Sequence, residues 1–168
     1  MNLVSFDIDG TLLSISDPME YVNSYVSAFT SQFEKPQDFR DYLPSKIAGL
    51  TDLSLIKYSI NKATDNHAND ENVKKFCDDF VKFFKINFQK GVTLTKGTKD
   101  FLDELKKKNT IFAICSGNLK EIGEMKLNEC QILEYFDEEL RGFCWSPDRS
   151  QILKMIIEKA KEKYDIVN

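Results

Sequence analysis

At 168 residues, with 42% hydrophobic, 12% aromatic and 30% charged side chains, the chain is long enough for one ordinary core and too apolar for a disordered or collagen-like segment. Its 23 basic and 27 acidic residues leave a net charge of −4, so no global positive field exists to hold nucleic acid or an anionic membrane. Any anionic ligand must be held locally.

Residues 2–8 form a short apolar run closed at once by Asp9-Gly10-Thr11, the pattern of a buried strand ending in a turn. Asp17-Pro18-Met19-Glu20 then supplies an N-cap, a proline at the first helical position and a capping-box acid. Met19, Val22, Val26, Phe29 and Phe33 follow at helical spacing and predict an amphipathic helix with those five inward. Pro36 and Pro44 break the pattern, after which Thr51 or Asp52 caps a second helix carrying Leu53, Ile56 and Ile60. From Glu71 to Phe88 a third helix sets Val73, Phe76, Phe80, Phe83, Phe84 and Phe88 along one stripe, the spacing of a buried face rather than a ligand cage.

The pattern changes after Gly91. Gly97-Thr98 opens a helix with Phe101, Leu102 and Leu105 that Asn109 ends, and Ile111 to Cys115 is a second buried strand. Ser116-Gly117-Asn118 opens a helix reaching about Cys130, and Ile132 to Phe136 leads into a weaker extended segment, Glu139 to Cys144. Pro147-Asp148-Arg149 starts a last helix with Ile152, Leu153, Ile156, Ile157 and Ala160 inward, and Ile166-Val167-Asn168 reads as the start of a further strand.

A strand, a long helical insert, then alternating helix and strand define an α/β protein. The expected architecture is a Rossmann-like parallel-sheet core from residues 1–14 and 91–168, truncated at its last strand, with an inserted α-helical cap at 15–90. Ligands of such sheets bind beyond the carboxyl ends of the strands. Both polar clusters, Asp7 to Thr11 and Ser116 to Asn118, lie at such ends.

Asp7 and Asp9 are separated by one residue, and the turn at Gly10 can swing the second carboxylate back toward the first. Like charges so placed repel, which suggests a metal or an acid–base division of labour. Oxygen ligands suit magnesium best. Ser116, Gly117 and Asn118 offer a hydroxyl and successive backbone N–H groups at a helix start, an anion cradle. A dicarboxylate, a hard cation and an anion cradle together describe phosphoryl transfer.

The run Asp7-Ile8-Asp9-Gly10-Thr11-Leu12 resembles the first motif of the haloacid dehalogenase-like phosphatases. With average residue usage, a chance D-x-D-G-T in a chain of this length is expected only at roughly a few per thousand. Cys115-Ser116-Gly117-Asn118 resembles the family's second motif and Arg149 its third, basic one, with Lys126 or Lys154 as other bearers of the basic role. The helical insert, and within it Gly49-Leu50-Thr51-Asp52, resembles caps of the phosphoglycolate phosphatase and β-phosphoglucomutase branch. The resemblance implies that Asp7 attacks phosphorus to form an aspartyl-phosphate, Asp9 serves as acid and then base, and Gly10 and Thr11 shape the turn. Ser116, Gly117 and Asn118 would hold the phosphoryl oxygens, Arg149 would neutralise transition-state charge, and Asp7 and Asp9 would carry Mg2+.

The family's fourth motif, an acidic pair completing the magnesium shell, is expected shortly after Ile166-Val167, and the sequence stops at Asn168. Magnesium would then be held by Asp7, the backbone carbonyl of Asp9 and water, and so weakly. The readings are a longer reading frame, a partner that supplies the edge, or a degenerate phosphatase that binds a phosphate ligand or partner protein. The main expectation is a hydrolase of a small phosphorylated metabolite; a phosphomutase of the same family is the other enzymatic reading. Asp9 argues against dehalogenation, whose leaving chloride needs no acid.

The bland readings are a helix cap for Ser116, a surface residue for Arg149, a solvated His67, and a helix C-terminus for Lys106-Lys107-Lys108. Asp148 is a further, weaker metal candidate. Cys77, Cys115, Cys130 and Cys144 lack a C-x-x-C pair and read as reduced core cysteines, which implies a reducing compartment. No basic region precedes the first apolar stretch and no long apolar run occurs, so the expected setting is cytoplasmic, with no membrane and no nucleic-acid partner.

Overall fold

A computed structural model describes residues 2–34 and 38–164. In chain order the elements are β1 (Asn2–Phe6), β2 (Leu13–Ile15), α1 (Pro18–Thr30), α2 (Asp52–Ala63), α3 (Asp70–Asn87) and β3 (Val92–Leu94), followed by α4 (Thr98–Lys106), β4 (Thr110–Cys115), α5 (Lys120–Glu129), β5 (Arg141–Gly142) and α6 (Arg149–Tyr164). The chain is an α/β protein whose main sheet has the parallel order β1-β4-β5. The strand expected at Ile166–Asn168 and the break expected at Pro36 lie outside the described residues.

Residues 111–114 of β4 are all buried, as a central parallel strand covered on both faces should be. Alternation decides which layer each side chain joins. Phe112 and Ile114 enter a cluster with Phe6, Ile8, Leu102, Leu127 and Phe143, while Ile111 and Ala113 pack on Ile152, Ile156 and Ala160 of α6. Leu153 and Ile157, expected inward, stand on the outer face at 39% and 36% exposure, because the stripe facing the sheet recurs every four residues through 152, 156 and 160. The extended segment expected over 139–144 shrinks to the two residues of β5, preceded by short 3-10 turns at Leu133–Tyr135 and Glu138–Leu140.

Between β2 and β3 the helices build a second core, to which α5 contributes Ile122. Asp17 caps α1 by accepting from the Met19 amide, and Thr51 caps α2 by accepting from the Ser54 amide. Phe76, Phe80 and Phe84 of α3 are fully buried against Tyr25, Phe29, Ile56 and Ile60. Burial of a side chain of this size contributes about 2–3 kcal/mol relative to exposure. α1 departs from its expected face: it buries Glu20, Ser24, Tyr25, Ala28 and Phe29, and leaves Met19 and Val22 at 54% and 43% exposure. The tyrosines, which can bury a ring while their hydroxyls find partners, take the inward stripe instead. Glu20 tolerates burial because its Oε1 accepts from the Gln89 and Lys90 amides just beyond α3.

The antiparallel pair β2–β3 has no counterpart in the sequence reading. Three residues in each strand are too few to show alternation, yet the pair clamps the two chain crossings between the helical insert and the sheet. No helix among the described residues is long and apolar enough to cross a membrane.

Candidate active site

Asp7 follows the last residue of β1 and Ser116 the last residue of β4, and these strands are parallel neighbours paired Phe6 with Ile114. Adjacent strand ends therefore bring the two motifs together. The chain after Asp7 folds back at once: the Thr11, Leu12 and Leu13 amides all converge on the Ile8 carbonyl, and the Gly10 amide returns to the Leu13 carbonyl. Gly10 sits at φ +73° with open space where a Cβ would go, so backbone conformation rather than crowding requires glycine here. Thr11 completes the turn through its amide and is exposed.

Each carboxylate has its own cation. Asp7 Oδ1 accepts from the Ile8 amide at 2.8 Å, which fixes its rotation, and Oδ2 accepts from Arg149 Nη1 at 2.7 Å. Asp9 accepts from Lys126 Nζ through both oxygens, at 3.0 and 2.8 Å. Lys126 has no exposed surface; its third hydrogen bond goes to Asn118 Oδ1 at 3.1 Å, and its ammonium lies 5.1 Å from the Tyr21 ring centroid. A buried ammonium persists only with such complete pairing. Asn118 itself donates its amide to Ser116 Oγ at 3.2 Å, so the segment 116–118 forms a tight turn over the β4 end.

The helical insert closes one side of this cluster. The Asp52 amide donates to the Gly117 carbonyl at 2.7 Å, the Leu119 amide returns to Asp52 Oδ2 at 2.8 Å, and the Tyr21 hydroxyl donates to Asp52 Oδ1. A Cβ on Gly117 would lie 2.7 Å from Arg149 Nη2 and 3.0 Å from the Leu50 carbonyl oxygen. Gly117→Ala is accordingly expected to cost about 1–3 kcal/mol of stability, measured by thermal unfolding, and to lower kcat/KM by displacing Arg149 or the 50–52 segment. Unchanged stability would contradict the close approach.

Burial raises the Asp52 carboxyl from its ordinary 3.8 to about 6, against the opposing pull of the Tyr21 hydroxyl, the Leu119 amide and the Lys126 charge. The folded state then binds this proton more tightly than the unfolded chain. Stability contributed by Asp52 is therefore greatest at acid pH and falls as pH rises from about 4 to about 6, by about 3 kcal/mol in all. Urea unfolding across that window should show Asp52→Asn gaining on the unmodified chain as pH rises; parallel curves would rule the effect out.

The structure thus assembles Asp9, Gly117, Asn118 and Arg149 around one cleft, with Asp7 joined to it through Arg149, Ser116 buried, and Gly10 and Thr11 in the supporting turn. Two other candidates fall away. Asp148 does not line this cleft and instead caps the start of α6 through the Ser150 amide and hydroxyl, and Lys154 lies on an outer groove beside Trp145 and Glu158. Sequence reasoning missed Tyr21 and the roles of Asp52 and Lys126 as a unit. Lys126 carried one signal, a charge placed one turn after Ile122 and next to Leu127 on the buried face of α5.

The donor set suits magnesium. Asp7 is about one-third exposed and offers a hard oxygen, the Asp9 backbone carbonyl is a second, and magnesium commonly takes one or two carboxylates with water and substrate phosphate filling the rest. No group of three or more His, Cys, Asp or Glu that could hold a metal occurs among the described residues.

A family model for haloacid dehalogenase-like hydrolases matches residues 4–163. The chain belongs to that family. Among solved structures, a predicted phosphoglycolate phosphatase from Haemophilus somnus 129PT is similar to it with TM-score 0.63 and 18% identity, covering 98% of this chain and 72% of that one. A haloacid dehalogenase-like hydrolase of family IA, variant 3, from Entamoeba histolytica HM-1:IMSS gives 0.66 and 18%, covering 95% and 70%. A candidate beta-phosphoglucomutase from Thermotoga maritima gives 0.54 and 18%, covering 99% and 72%. At these identities the likeness shows the fold. No curated protein matches the chain. This haloacid dehalogenase-like hydrolase thus shares its fold with the three solved structures.

Proposed function

We propose that the protein is a magnesium-dependent phosphatase of small phosphate monoesters that works through an aspartyl-phosphate. The observation that carries this reading is the pairing of Asp7 with Arg149 and of Asp9 with Lys126 at the mouth of the 116–118 turn. Two carboxylates and two cations sum to zero, so an arriving phosphate dianion needs two further positive charges. A bound magnesium ion, held by Asp7 and the Asp9 carbonyl, would supply them and polarise the phosphoryl group.

Asp9 takes up one proton from solvent before the first turnover; Asp7 then attacks phosphorus while the bond to the leaving alkoxide breaks, and Asp9 passes that proton to the leaving oxygen to make it an alcohol. Lys126 must release one of its two Asp9 oxygens for that step. Water then attacks the phosphorus of the aspartyl-phosphate, its proton passes to Asp9, and the bond to Asp7 breaks to give inorganic phosphate. Arg149, whose buried Nε has no partner among the described residues, follows the negative charge from Asp7 onto the phosphoryl oxygens. Asn118 and the 116–118 backbone border the same space.

Phosphate release from p-nitrophenyl phosphate and a panel of small esters, with magnesium or with EDTA, tests the proposal. Turnover in magnesium that EDTA abolishes is the expected result. A folded chain that releases no phosphate from any ester would overturn it in favour of a phosphate-binding relative, and transfer to a second hydroxyl of the substrate without release would mark a mutase.

A further inference from the structure

The cleft that holds the charged cluster also has an apolar lining. It encloses about 310 Å³ and is lined by Asp9 and Arg149 together with Ile15, Val22, Ile47 and Leu50. Val22, Ile47 and Leu50 are 43%, 46% and 37% exposed, three apolar side chains converging on one mouth rather than scattered over a surface. Val22, Ile47, Tyr21 and Leu55 also wall a second, adjacent space of about 140 Å³, lined further by Tyr25, Phe39 and Leu43.

That second space offers no polar partner among the described residues that line it. Its two tyrosines have turned their hydroxyls elsewhere, Tyr21 to Asp52 and Tyr25 to Ser59 Oγ at 3.0 Å, so they line the cavity with apolar surface. A sugar or hydroxy acid placed there would bury hydroxyl groups against hydrocarbon, a loss no contact repays. An apolar cavity of about 150 Å³ accepts one benzene ring. The departure of α1 from its expected face has the same origin: Val22 is left out of the helical core and points to the cleft.

We propose that the substrate's leaving group is an apolar alcohol carrying one aromatic ring, or a branched alkyl group of equal bulk, seated between Val22, Ile47 and the Tyr21 and Tyr25 rings. This rests on the phosphate-ester reading, since it places the phosphoryl group at Asp7 and Arg149.

Binding of benzylphosphonate and methylphosphonate to the full chain in magnesium, measured by calorimetry, tests it independently of turnover. The two carry the same anion and differ in the ring. Benzylphosphonate is expected to bind about tenfold or more tightly, the usual scale for filling an apolar pocket, and Val22→Asp and Ile47→Asp are each expected to erase most of the difference. Equal affinity, binding of neither, or a preference untouched by both substitutions overturns the inference. A preserved ring preference in a chain that turns over no ester would instead refute the phosphatase reading and leave the apolar subsite standing.

Discussion

Asp7→Asn abolishes phosphate release, by about 10⁴-fold or more in kcat, while leaving the fold intact. The amide keeps an oxygen for the Ile8 N–H and roughly the carboxylate's shape, so β1 and its turn lose little. It removes the attacking oxygen and the charge that faces Arg149 at 2.7 Å. A loss of 10⁴ corresponds to about 5.5 kcal/mol of barrier, the scale seen when a covalent nucleophile is taken away. Unfolding midpoints within a few degrees of the unmodified chain, together with a dead enzyme, are the expected pair of observations. Residual turnover above a hundredth would show that another group attacks phosphorus.

The second large effect separates chemistry from stability at Lys126. Removing one partner of a buried ion pair usually costs about 3–5 kcal/mol, because the other charge is left dry. Here the partner left behind is Asp9, which is 40% exposed and can be hydrated, whereas the ammonium has no exposed surface. Lys126→Met removes the desolvated charge and keeps most of the packing against Tyr21 and Phe84. Its stability cost should stay below about 2 kcal/mol by chemical denaturation. Activity should fall about 10²-fold, the lower range for general acid–base assistance, because Asp9 and Asn118 lose the donor that sets their positions. Lys126→Arg should rescue little, since the site has no exposed surface and the bulkier guanidinium would overpack it. Loss of folding with no specific loss of turnover would make Lys126 a structural residue only.

Much of this site is legible in the sequence because its parts are local. Asp7 to Thr11 carry strand end, turn and carboxylates in five consecutive residues, and Gly10 states its own backbone conformation. The same holds for the caps of α1 and α2, where Asp17 and Thr51 act within their own helical turns. What sequence reading misses is what depends on rotation or distance. Apolar spacing in α1 allows several faces, and the choice of Tyr25 over Val22 depends on Ser59, thirty-four residues away, which receives the phenol. Lys126 enters only as a substitute for Arg149, yet the structure uses both cations on different carboxylates. Asp52 reads as a helix start, and its second role arises only when α2 meets the Leu119 amide. The strands β2 and β3 are too short to carry a periodic signal, so the clamp at the crossings is visible only in three dimensions.

One architectural consequence joins these points. The charged residues come from the sheet side of the cleft, and Tyr21, Asp52 and the apolar wall come from the helical insert. Asp52 and Lys126 are among the ties that cross between them, one through backbone amides and one through an ammonium beneath aromatic rings, beside the Ser54 hydroxyl on the Pro147 carbonyl and Ile122 in the helical core. Substitutions at either should therefore alter turnover through placement of the insert as well as through local charge.

The most direct test of the covalent route is rapid acid quenching of the magnesium-loaded chain during turnover of a 32P-labelled phosphate ester. The account predicts label bound to the protein, released by hydroxylamine as an acyl phosphate is, mapped to Asp7, and absent from Asp7→Asn. Steady turnover with no protein-bound label at any quench time, or label on another residue, would contradict it.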